Sequence, residues 1–146
     1  MIPLDGEVNS SLVYQIPQGV YDYMQIKVNI VANGSNPAII LNGTYRQAPS
    51  LTKNVVFTHN ANESIQIIGE SSDNGGIVLT KSKTEKIDIV FDAIYWFETL
   101  TSDQLSNAET TIINDQETIL IDNANNVSLY EIVISRMNNS HRAIFN

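Results

Sequence analysis

Cysteine is absent from the 146 residues, which rules out thiol catalysis, thiolate metal sites and a disulfide framework. Basic residues are scarce: 8 Lys and Arg stand against 16 Asp and Glu, a formal charge of −8. Binding a phosphate backbone needs a basic stripe, so nucleic acid is not an expected partner. Lys81, Lys83 and Lys86 are the only basic cluster, and beside a strand they read as a solvated edge that deters edge-to-edge pairing. No apolar run approaches the roughly 20 residues that cross a bilayer. The opening Met1-Ile2-Pro3-Leu4-Asp5-Gly6-Glu7 lacks the basic and apolar regions of a signal peptide. A membrane is therefore not an expected partner either.

What is abundant is isoleucine, 20 residues, and asparagine, 17. Isoleucine fills pleated cores, and asparagine tolerates the left-handed positions of turns. A chain of this length buries roughly two-thirds of its surface as one domain, with no staple needed. The expectation is a single domain over residues 1–146, with residues 1–10 as an extended N-terminal arm around Pro3, Gly6 and Asn9.

Alternation at a period of two recurs along the chain. After a short strand at Leu12–Ile16, Val20–Val31 places Val20, Met24, Ile26, Val28 and Ile30 on one face, with Asp22 as the exception. Tyr21, Tyr23, Gln25, Lys27 and Asn29 take the other. Asn42-Gly43, between Ala38–Leu41 and Thr44–Gln47, is the strongest hairpin signal, because a type I′ turn needs two positive φ angles. Further strands are expected at Lys53–Thr58, Ser64–Ile68, Ile77–Lys81, Thr110–Ile113, Thr118–Ile121 and Val127–Ile134, with Asn114-Asp115 turning between two of them. Thr101 or Ser102 caps one short helix near 102–109. Many short strands at regular spacing, separated by turn residues, predict an all-β fold, an antiparallel β-sandwich of jelly-roll type.

The stretch Lys86–Phe97 reads as the long central strand. Ile87, Ile89, Phe91, Ala93, Tyr95 and Phe97 form a core face. The other face starts polar and turns apolar at Val90, Ile94 and Trp96, a patch that marks a subunit interface more often than a small-molecule site.

Catalytic chemistry finds no constellation. His59 and His141 sit in polar, Asn-rich stretches, read as surface histidines, and show no metal-pair spacing. Asp88 and Asp92 lie about 13 Å apart along a strand, too far for a glycosidase pair. Residues 70–76 hold oxygen ligands and glycines but lack the acidic alternation of a calcium loop. No metal or cofactor is expected, and the chain is not expected to be an enzyme.

Two roles remain. The first is a non-enzymatic structural protein of a larger assembly, working through protein–protein contacts. A phage or virus particle fits best, as a capsid accessory, a tail or baseplate component or a receptor-binding protein, with a virion location and partners that include a second copy and other particle proteins. The second is a carbohydrate-binding module, with Tyr21 and Tyr23 about 7 Å apart on one strand as a stacking platform and Gln25 and Asn29 beside them. Its partner is a cell-surface glycan.

Overall fold

The computed structural model describes residues 15–32, 34–71, 75–81 and 86–145. The expected arm at residues 1–10 lies outside them. Half of the chain is strand and 17% is helix, so the all-β, sandwich-like class holds. The elements are β1 (Gly19–Tyr21), β2 (Met24–Ile30), β3 (Ile39–Ala48), β4 (Leu51–His59), β5 (Glu63–Ser71), β6 (Ile77–Leu79) and β7 (Ile87–Phe91). They continue with α1 (Ala93–Phe97), α2 (Ser102–Ser106), β8 (Thr111–Ile113), β9 (Gln116–Ile121), α3 (Val127–Met137) and β10 (His141–Phe145). The strands make a ribbon β1-β6 and two four-stranded sheets, ordered β2-β5-β10-β7 and β3-β4-β9-β8.

The chain forms two compact units that interleave in sequence. One holds residues 1–26, 66–91 and 141–146; the other holds 27–65 and 92–140. β2 and β5 therefore each run from one unit into the other, and there is no linker between them.

In the first unit β10 lies between β5, which it pairs in parallel, and β7, which it pairs antiparallel. Buried Ile67, Ile77, Ala143 and Phe145 form its core. Gly69 is required here, because a Cβ would collide with the Phe145 ring and come within 3.3 Å of the Met24 carbonyl oxygen.

In the second unit β3 and β4 form a hairpin that turns at Pro49-Ser50, with a register irregularity between Arg46 and Ala48. β4 pairs β9 in parallel, and β9 pairs β8 across Asn114-Asp115. Parallel pairs such as β4–β9 and β5–β10 require long crossovers, which an all-antiparallel expectation leaves out. The core is Ile39, Phe57, Ile65, Trp96, Ile119, Ile121, Leu129, Val133 and Met137.

Three local expectations give way to tertiary structure. Asn42-Gly43 is not a turn: both residues stay extended in β3, opposite Val56 and Val55. The stretch 86–97 is not one strand. β7 ends at Phe91, and the Asp92 side chain accepts a hydrogen bond from the Tyr95 backbone N–H at 3.0 Å, starting α1. Residues 127–134 are helical, because Leu129, Val133 and Met137 repeat every four residues and all are buried. Two turn readings hold. Thr101 and Gln104 form a reciprocal capping box at α2, and Asn114 and Asp115 have φ of 51° and 60°, the type I′ signature.

Candidate functional site

The expected interface residues do not share a strand face. Val90 stays in β7, on the face away from the core, and is half-buried. Ile94 projects from α1 with 82% of its surface exposed. Trp96, two residues and just over half a helical turn on, is 1% exposed and belongs to the core, where its indole N–H donates to Ser140 Oγ. The correction follows from α1: at 3.6 residues per turn, Ile94 and Trp96 point in different directions.

The tyrosine platform is likewise not assembled on one strand. β1 ends at Tyr21, and Asp22 and Tyr23 interrupt the path to β2. The Tyr21 hydroxyl donates to the Pro17 carbonyl at 2.7 Å, whereas Tyr23 is 67% exposed. Gln25 and Asn29 do lie on the exposed side of β2, and the Gln25 amide donates to Gln66 Oε1 at 3.1 Å. Lys27 shares that side, as the alternation predicts.

The ribbon β1-β6 carries an apolar surface that the sequence reading missed. Val20 and Val78 are direct cross-strand partners, so their side chains share one face. They are 71% and 51% exposed, while Ile77 on the opposite face is buried. In the same unit, Ile68 is exposed on the outward face of β5.

His59 is not a surface residue. It is 2% exposed, at the end of the inward alternation Val55, Phe57, His59 in β4. Its Nε2 lies 3.1 Å from Glu63 Oε1, and its Nδ1 lies 2.8 Å from the Tyr130 hydroxyl. A carboxylate only accepts, so Nε2–H donates to Glu63, while Nδ1 and the Tyr130 hydroxyl share the second hydrogen bond. Burial, then the charges of Glu63 and Asp122, hold the Tyr130 phenol above its ordinary pKa of 10.0, which keeps its proton available for that bond. The Tyr130 ring also stacks on Phe57 at 5.9 Å. With both ring nitrogens engaged and the imidazole buried, this relay organises the core. The alternation through Phe57 was the signal that could have placed it.

His141 is half-buried beside Phe91, with ring centroids 5.6 Å apart. Its buried Nδ1 has no hydrogen-bond partner among the described residues, and burial lowers its pKa. Among the described residues no group of three or more His, Asp or Glu side chains is placed to hold a metal ion. No helix among them is long and apolar enough to cross a membrane. Compared with known protein families, with curated proteins and with solved structures, the chain matches none.

Proposed function

We propose that the chain is a non-enzymatic structural protein of a larger assembly, working through protein–protein contacts, as a component of a phage or virus particle. The observation that carries this reading is the Val20–Val78 pair. Two β-branched side chains face solvent on a regular ribbon whose other face supplies the core. Fully burying one such side chain contributes about 1.5–3 kcal/mol, so covering both is a sizeable driving force for association. The buried His59 imidazole, with both ring nitrogens in hydrogen bonds, supports the non-enzymatic part.

Light scattering over about 1 µM to 1 mM, a span that brackets ordinary association constants, tests the contact. The expected result is a concentration-dependent oligomer that Val20→Asp or Val78→Asp returns to monomer without lowering the melting temperature. A parent chain that stays monomeric at every concentration, and that is missing from purified particles by mass spectrometry, overturns the reading.

A further inference from the structure

The sheet β3-β4-β9-β8 carries an open cleft of about 230 Å³. By register, Asn42 faces outward with Val56 across from it, Asn54 stands beside Thr118, and Ile113 stands beside Gln116, all on one face of the sheet. Asn114 enters from the β8–β9 turn, where its left-handed backbone is fixed by the hairpin. The lining includes no charged side chain. The nearby ion pair of Lys53 and Glu117, at 3.6 Å, belongs to the opposite face, because each follows or precedes a cleft residue by one position in its strand.

That lining selects for one chemistry. A phosphate or carboxylate ligand would call for Arg or Lys, and a hard cation for carboxylates. Here three asparagines and a glutamine offer donor and acceptor together on each amide. Val56 and Ile113 add apolar surface between them. Neighbouring hydroxyls on a saturated ring present the matching alternation of donors and acceptors, with C–H groups for the apolar floor.

Two further details favour a ligand over simple surface polarity. The floor holds Thr118, a polar residue only 1% exposed, whose hydroxyl donates to the Gln116 carbonyl at 3.1 Å. The side chains of Asn42 and Asn114 have no hydrogen-bond partner among the described residues, whereas Asn54 donates to Gln116 Oε1 at 2.5 Å and so holds that amide in place. The volume lies below the roughly 300–1,000 Å³ of sites that enclose a drug-sized ligand, so it suits one ring of a chain.

We propose that this cleft, formed by Asn42, Asn54, Asn114, Gln116, Val56 and Ile113, binds one residue of a neutral glycan. The site is separate from the Tyr21–Tyr23 platform. It does not depend on the assembly reading, because the Val20–Val78 surface belongs to the other unit.

The test is NMR of the full chain, following the side-chain NH₂ signals of Asn42, Asn54, Asn114 and Gln116. The probes are maltohexaose, cellohexaose, laminarihexaose, mannohexaose and N-acetylchitohexaose, each to about 10 mM, above a ~1 mM Kd. At least one should shift these signals together. Asn42→Ala should weaken that sugar about tenfold, as should Asn114→Gly, which keeps the left-handed turn. Both variants should keep the parent's melting temperature. A galacturonate hexamer should bind less tightly than the neutral probe. The proposal is overturned if no probe shifts the four amides, if the shifts centre on Tyr23, if both variants bind as the parent does, or if the charged oligomer binds best. Light scattering on the same samples reads the assembly separately, so either idea can fail alone.

Discussion

The Tyr130 hydroxyl and His59 Nδ1 share a hydrogen bond at 2.8 Å, tying α3, the only helix of more than five residues among the described ones, to the end of β4. Removing the hydroxyl in Tyr130→Phe keeps the stack on Phe57 but leaves a buried ring nitrogen without its partner. The expected cost is about 1–3 kcal/mol, read by urea denaturation.

The same phenol sets an alkaline limit. Its folded pKa lies above the unfolded value of 10.0, so its contribution is fully present below pH 10. As pH rises from there through the folded value, the unfolded chain loses the proton first and stability falls. Tyr130→Phe should remove this part of the slope. A variant and parent with identical slopes above pH 10 would show that the phenol titrates alike in both states.

Trp96→Ala should cost about 3–5 kcal/mol by opening a core cavity. Ile94→Ala, on the exposed side of the same helix, should change stability by no more than about 0.5 kcal/mol. Thermal melts of both variants check the assignment of faces in α1; equal effects would contradict it.

Gly69→Ala should destabilise by about 1–3 kcal/mol, because the new methyl meets the Phe145 ring and the Met24 carbonyl. Gly43→Ala meets nothing within 4 Å and should gain about 0.5–1 kcal/mol from reduced chain freedom. Opposite signs at two strand glycines distinguish close packing from an open surface.

His141 contributes on the acid side. Burial lowers its pKa from 6.5, so below that pH the unfolded chain binds the proton more readily and stability drops. His141→Phe keeps a ring against Phe91 and deletes the unpartnered nitrogen. Between about pH 7 and 5, its stability should fall less steeply than the parent's.

Much of the fold was legible where local and tertiary preferences agree. In β2 the alternation Met24, Ile26, Val28 and Ile30 is half-buried while Gln25, Lys27 and Asn29 are exposed. The Thr101 cap and the Asn114-Asp115 turn also speak for themselves. Misreadings arose where one sequence satisfies two patterns. Residues 127–137 are rich in β-branched side chains and alternate over a short window, yet Leu129, Val133 and Met137 also make a helical stripe. Asn42-Gly43 has ideal turn chemistry, but both residues pair with β4 along a ten-residue strand. The cleft was invisible for another reason. Asn42, Asn54, Asn114 and Gln116 are spread over more than seventy positions, and only the parallel pairing of β4 with β9 brings their strands together.

The placement of β10 bears on how the chain is made. It is the last strand in the described order, yet it sits inside its sheet, with β5 on one flank and β7 on the other. Until residues 141–145 emerge from the ribosome, β5 and β7 each wait with an open row of backbone donors and acceptors on that flank, the kind of edge that recruits other chains. A premature stop ahead of His141 would thus do more than shorten the protein. It would leave β5 and β7 with those rows permanently unpaired, an edge that invites aggregation.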